Sequence, residues 1–218
     1  MQVPPDTKPR WERRKDARPQ ELLAAALDLF VERGYASTRL EDVARRAGVS
    51  KGTLYLYFEN KQELFKAVVR ETIGECIGQA ELDVAAAEDV HSAELLRLML
   101  WRWWEQVGST RIAGLTKLMM VEAGNFPELS AFYNEEVAAR GDALVMRILE
   151  RGIARGEFRP HDPKVMMPIL TAPVLMLVMW VHKFFPCENH EGLDAHAYLN
   201  SLIDVALNGL LPRPPERE

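Results

Sequence analysis

Apolar residues recur at helical spacing along most of the chain, and nowhere do they alternate every second residue over the length of a strand. The pattern predicts an all-α protein. Leu22, Leu23, Ala26, Leu27, Phe30 and Val31 form the stripe of a first helix that starts near Pro19 and closes at Gly34. Leu40, Val43, Ala44 and Ala47 are the inner face of a short second helix, with Glu41, Asp42, Arg45 and Arg46 outside. Gly48 suits a left-handed helix stop, and Ser50 suits the N-cap of a third helix whose Leu54, with Val49 and Phe58, closes the shared core. Thr38 stands where a cap of the second helix belongs. Asn60 and Lys61 open a fourth helix, with Leu64, Phe65, Val68, Val69, Thr72 and Ile73 inward, running without a breaker to about Ala80.

Beyond an acidic, alanine-rich connection at 81–92, the run AELLRLMLWRWWEQVG is apolar almost all round, so it must be buried or lie against another chain. A second buried helix, RIAGLTKLMMVEAGNF, follows. A long helix from about Glu128 to Arg155 carries Leu129, Phe132, Tyr133, Val137, Leu144, Ile148 and Ile153, and ends at Gly156. Val165 to Val181 holds no charge and approaches the lower length of a membrane span, but Pro168, Pro173 and its single occurrence argue for a helix buried between its own domain and a partner. The last helix, about Leu193 to Leu211, presents Ala197, Leu199, Leu202, Ile203, Ala206 and Leu210. With the helix at 165–185 it forms half of an expected four-helix homodimer interface.

Two short helices meeting at a glycine turn make a helix-turn-helix. The third helix exposes Lys51, Gly52, Thr53, Tyr55 and Tyr57, a set of cation, side-chain-free approach, hydroxyl and phenols suited to phosphates and base edges. Leu56 offers an apolar contact for a thymine methyl, and Lys61 lies at a helix N-terminus where charge and free N–H groups favour a phosphate.

The wording AGVSKGTLYLYFENKQEL, preceded by ALDLFVERGYASTRLEDVA, resembles the DNA-binding domain of the TetR family of bacterial transcriptional regulators. The detailed resemblance covers about residues 17 to 77. It implies an N-terminal three-helix DNA-binding domain joined by a linking helix to a larger C-terminal helical domain for ligand binding and dimerisation. The domains expected are a flexible basic arm at 1–16, the DNA-binding domain at 17–77 with its helix-turn-helix at about 39–58, the effector and dimerisation domain at 78–211, and a tail at 212–218. Expected DNA contacts are Thr38, Arg39, Ser50, Lys51, Gly52, Thr53, Tyr55, Leu56, Tyr57 and Lys61, with the fourth helix as the lever that transmits ligand binding. The implied effector pocket lies among aromatic and methionine side chains, which bury apolar ligands and adapt to their shape. Its candidate residues are Trp101, Trp104, Met119, Met120, Phe126, Tyr133, Trp180, His182 and Phe184.

Charge changes the picture only once it is divided. The formal net charge is −5, yet residues 1–70 hold 14 Lys/Arg against 10 Asp/Glu and the remainder 13 against 22, so the positive balance sits with the helix-turn-helix. Arg10, Arg13, Arg14 and Lys15 give the arm a cluster that reads either as a solvated tail or as a backbone contact. Two cysteines, Cys76 and Cys187, are too few for a disulfide framework, and the polar, proline-rich start is unlike a signal peptide, so a cytoplasmic protein is expected. No nucleophile elbow, phosphate loop or zinc-protease helix is found, and Cys187, Glu188, His190, Glu191 and His196 match no standard metal spacing. The expectation is a non-enzymatic regulator without cofactor or metal, most simply a repressor, that binds a double-stranded pseudo-palindromic operator as a dimer and is released by a small hydrophobic effector, with no membrane partner. The alternatives are a membrane-associated or enzymatic helical protein with an incidental helix-turn-helix, and a DNA binder that takes no ligand.

Overall fold

The computed structural model describes the backbone at residues 10–183 and 192–211, and side chains from Pro19 onward within those ranges. All regular elements among them are helical, and they group into two compact units that divide between Val69 and Arg70.

The first unit holds α1 (Arg10–Ser37), α2 (Leu40–Arg46), α3 (Lys51–Tyr55) and α4 (Lys61–Val69). Gly34 takes φ 81° and ψ 168° and breaks the helical path of α1. Val31, though in register with the α1 stripe, is 37% exposed. Around the break, Phe30 stacks on Tyr35 at 5.7 Å and Phe65 of α4 meets both rings edge-on, at 5.3 and 5.5 Å. Leu22, Ala26, Val43, Leu54, Leu64 and Val68 complete a core from which water is excluded. Each such large side chain contributes roughly 1.5–3 kcal/mol.

The cap of α2 differs from expectation. Its N-cap is Arg39, which makes no side-chain cap bond. Thr38 is 1% exposed, and its hydroxyl donates to the carbonyls of Leu29 (3.1 Å) and Gly34 (2.8 Å). The Gly34 carbonyl loses its helical partner at the break, since the Thr38 N–H turns to the Tyr35 carbonyl, so the threonine hydroxyl serves α1 instead of capping α2. Gly48 is left-handed at φ 68°, and Ser50 caps α3 by accepting from the Thr53 N–H at 3.0 Å.

The second unit contains α5 (Glu75–Ala86), α6 (Ser92–Trp103), α7 (Ala113–Glu122), α8 (Pro127–Tyr133), α9 (Ala139–Ala154), α10 (Pro163–Val181) and α11 (Ala195–Leu210). Three π-helical turns interrupt this regular pattern: π1 (Arg70–Gly74), π2 (Trp104–Gly108) and π3 (Asn134–Ala138). The uninterrupted α-helices expected from Asn60 to about Ala80 and from Glu128 to Arg155 are therefore each widened by a π turn. The widened turns π1 and π3 pack together, where Arg70 pairs with Glu136 at 3.1 Å and lies 4.9 Å over the Phe132 ring. Residues 70–77, which the sequence groups with the DNA-binding domain, supply buried Ile73 and Ile77 to this second unit.

Two devices hold its connections. Arg151 donates to the carbonyls of Ala87 (2.8 Å) and Val90 (2.6 Å) and to Ser92 Oγ (3.1 Å), while Glu157 accepts from the Ser92 N–H at 2.7 Å. Gly156, at φ 69°, turns the chain back so that the Phe158 ring fills the space over Gly152. Helix α10 passes through Pro168 and Pro173 and is long and apolar enough to cross a membrane by length and composition alone. Its Leu170, Val174, Leu177, Val178 and Met179 are buried within the unit, whereas Val165, Ile169, Met176 and Val181 are exposed.

Candidate DNA-binding surface and effector cavity

In the first unit, α3 stands out from the core with one buried residue, Leu54, and an exposed edge. Lys51, Gly52, Tyr55, Leu56 and Tyr57 are all exposed, as are Arg39 and Ser50, and Thr53 is half-buried. Leu56 is 83% exposed, a large apolar side chain with no intramolecular burial to account for its position. The serine cap is doubly fixed, because the Ser50 and Thr53 hydroxyls also lie 2.9 Å apart.

Most cations of this unit already have partners. Lys51 pairs with Glu41, which raises the lysine pKa and lowers that of the carboxylate. Arg46 forms a two-pronged bond to Glu32 at 2.8 Å, and Asp42 is shared by Arg33 and Arg45. Exposed pairs of this kind are worth little, so a phosphate can displace the carboxylate at small cost. Two expected contacts have other duties. Thr38 points inward, as described, and does not face the surface. The Lys61 ammonium donates to the carbonyls of Tyr35 (2.8 Å) and Ala36 (3.0 Å) and sits 4.5 Å over the Tyr35 ring. It closes the end of α1, and Asn60 provides the cap of α4 by accepting from the Glu63 N–H at 2.9 Å. The side chains of the basic arm lie outside the described residues.

The second unit encloses a cavity of about 430 Å³, within the roughly 300–1,000 Å³ of small-molecule sites. Its walls come from every helix of the unit except α11. Ile73, Cys76, Ile77 and Ala80 line one side; Met99, Leu100, Arg102, Trp103, Gln106 and Val107 another. Thr116, Met119 and Met120 of α7, Ser130 and Tyr133 of α8, Asn134, Val137 and Ala138 of π3, and Asp142, Leu144 and Val145 of α9 close it, with Thr171, Val174 and Leu175 of α10. All three π turns contribute lining residues.

Of the residues expected in the pocket, Met119, Met120 and Tyr133 line it. The others described do not. Trp101 packs 5.1 Å from His196 of α11, Trp180 meets Tyr198 edge-on at 5.8 Å, and His182 Nε2 donates to the Gly108 carbonyl at 2.7 Å. Trp104 is 2% exposed and is pressed on Gly108, where an added Cβ would lie 2.7 Å from the indole. Phe126 precedes α8 at its N-cap position and is half-buried. Phe184 and Cys187, like Glu188, His190 and Glu191, lie outside the described residues. Among three tryptophans in four positions, periodicity alone did not distinguish Trp103 from its neighbours, because α6 opens into π2 directly after it.

The wall is mainly apolar, with Arg102, Gln106, Thr116, Ser130, Tyr133, Asn134, Asp142 and Thr171 as its polar side chains. Thr116 Oγ1 and Tyr133 Oη lie 2.9 Å apart, and burial pushes the Tyr133 phenol up to about 12. The Asp142 carboxylate has no hydrogen bond or ion pair among the described residues, and desolvation raises its pKa. Arg102 is paired with Asp83. Burial likewise raises the pKa of the half-buried Cys76 thiol, which favours its protonated form.

Comparison with known proteins joins the two units. Residues 22–68 match the profile of bacterial regulatory proteins of the tetR family, and residues 93–186 match that of the tetracyclin repressor-like C-terminal domain. The HTH-type transcriptional regulator YfiR of Bacillus subtilis (strain 168) is 30% identical over 154 residues, 68% of this chain and 72% of that protein. The HTH-type transcriptional repressor KstR2 of Rhodococcus jostii (strain RHA1) is 27% identical over 168 residues, 76% of this chain and 80% of the relative. Among solved structures, the transcriptional regulator FadR from Bacillus subtilis in complex with stearoyl-CoA superposes with a TM-score of 0.73 at 25% identity, over 87% of this chain and 98% of that one. With an exposed recognition helix in one unit and an apolar cavity in the other, the chain belongs to the TetR family and is a DNA-binding transcriptional regulator.

Proposed function

We propose that this regulator is a homodimeric repressor that leaves its operator when an elongated, mostly apolar molecule of the long-chain acyl kind enters the cavity of the second unit. The cavity carries the reading: about 430 Å³ of space walled by aliphatic, methionine and tryptophan side chains. The relation to a repressor and to a regulator crystallised with stearoyl-CoA supports it.

On the DNA side, Arg39, Ser50, Lys51, Gly52, Thr53, Tyr55, Leu56 and Tyr57 are the contacts, two copies of α3 entering major grooves one helical turn or a multiple of it apart. The second copy is supplied by pairing through α10 and α11, whose Val165, Ile169 and Val205 are 59%, 56% and 70% exposed. The same unpartnered face makes a membrane role for α10 unnecessary, and the protein acts in the cytoplasm, where its operator is. An effector releases DNA only if it binds one conformation better than the other, so the cavity must differ between the bound and released states.

Selection from random duplexes should enrich a pseudo-palindromic site, bound in a 2:1 ratio of chain to duplex. Tyr57→Ala should weaken that binding without changing the dimer, and long-chain acyl compounds should dissociate the complex. Failure to enrich any duplex at low salt removes the DNA-side assignment. An enriched site indifferent to every acyl compound leaves a DNA binder without this class of ligand.

A further inference from the structure

Building on that reading, we propose that the Thr116–Tyr133 hydroxyl pair is the polar recognition point of the cavity, selecting an uncharged ligand with a hydrogen-bond acceptor, such as an ester-type carbonyl on a long apolar chain, over the free acid. Two hydroxyls joined by one hydrogen bond use only one of their two protons. Whichever group donates across the 2.9 Å gap, the other retains a proton, so the pair can offer one to a ligand. The phenol remains protonated at neutral pH, since burial holds its pKa about 12. An acceptor placed there gains a bond in surroundings where bulk water competes weakly.

The charges around the cavity favour neutrality. Asp142 lines it without an ion-pair partner, and Arg102, the cation in the wall, is held by Asp83. A shallower depression that shares Cys76 and Gln106 with the cavity is lined by Glu71 and Glu75. A ligand carboxylate brought into this setting meets carboxylates and loses its hydration, and among the described residues the one cation of the wall, Arg102, would have to leave Asp83 to offset that loss.

The full-length protein can be tested by competition of three matched probes, methyl laurate, laurate and tetradecane, against an apolar fluorophore. The ester should bind more tightly than the hydrocarbon by about threefold to tenfold, the range expected for one hydrogen bond, and more tightly than laurate at neutral pH. Replacing both hydroxyls, in Thr116→Val with Tyr133→Phe, should level ester and hydrocarbon, with tetradecane bound at least as tightly as by the wild type. Retained tetradecane binding separates loss of recognition from loss of fold. Asp142→Asn should narrow the gap between ester and acid. If ester and hydrocarbon bind the wild type equally, or the doubly substituted protein keeps its preference, the hydroxyl pair is not the recognition point even though the cavity takes long chains. Binding of laurate above its ester overturns the charge argument, and binding of none of the three overturns the long-chain reading along with this assignment.

Discussion

Asp142 and Gly152 show how single positions in the second unit constrain its stability in opposite directions. Burial raises the Asp142 carboxyl pKa without a compensating partner, so the folded state binds its proton more readily than the unfolded chain does. The resulting penalty is fully present above the folded-state pKa. It fades as pH falls through that value, and it vanishes below the unfolded one. Asp142→Asn should therefore raise the melting temperature at neutral pH, with the gain shrinking as the solution is acidified; calorimetry at several pH values reads it directly. Gly152 is the reverse case. The Phe158 ring occupies the volume a methyl would need, and Phe158 is itself 2% exposed, with nowhere to retreat. Gly152→Ala should cost about 1–3 kcal/mol, the usual range for overpacking a tight core, seen as a lower denaturation midpoint with an unchanged slope.

At the level of the helices, much was legible beforehand and some of it was not. The glycine stop before α3 and the serine cap are local signals that appear in the structure as capping chemistry requires, while the α1 stripe holds except at exposed Val31 and the helix begins at Arg10, inside the segment expected as a flexible arm, instead of near Pro19. Thr38 serves α1 and not α2 because a threonine before a short helix fits a cap as well as it fits the carbonyls of the preceding helix end, and only three-dimensional packing separates the two. The π turns were invisible because an extra residue in a turn leaves no mark on composition and blurs the period only locally. They also explain why Trp101 and Trp104 were expected in the pocket while Trp103 lines it. The inward role of Thr38 is open to test: Thr38→Val removes the hydroxyl that donates to the Leu29 and Gly34 carbonyls, the first of these bonds buried, and should destabilise the first unit by about 1–3 kcal/mol. Operator affinity measured well below the melting point should stay at the wild-type level, whereas loss of affinity in a fully folded variant would return Thr38 to the DNA contacts.

For the molecule as a whole, one exposed apolar face and one set of paired surface charges bear on assembly and on operator binding. Ile169→Glu combined with Val205→Glu places charges on the α10 and α11 face without touching the cavity wall. Sedimentation should then show a monomer with an unaltered helical signal, and operator affinity should fall steeply as the two recognition helices are uncoupled. A stable dimer in that variant would move the interface elsewhere. Because Lys51 and Arg46 already hold carboxylates, part of the counterion release that normally drives DNA binding is replaced by exchange of internal pairs. Affinity should fall with salt less steeply than the number of phosphate contacts suggests, which a titration from low to physiological ionic strength measures.

The three π turns around the cavity imply a particular route of divergence. Each amounts to one surplus residue in a helix, and losing it would rewind that turn to a regular α turn while the helix downstream keeps its register. Such a loss would change only the wall side chains of that turn, Ile73, Gln106 and Val107, or Asn134, Val137 and Ala138, so a deletion of one codon can reshape the cavity locally while the neighbouring helices stay in place. Comparing siblings of this protein for gaps at 70–74, 104–108 and 134–138 is thus a direct way to sort them by what they sense.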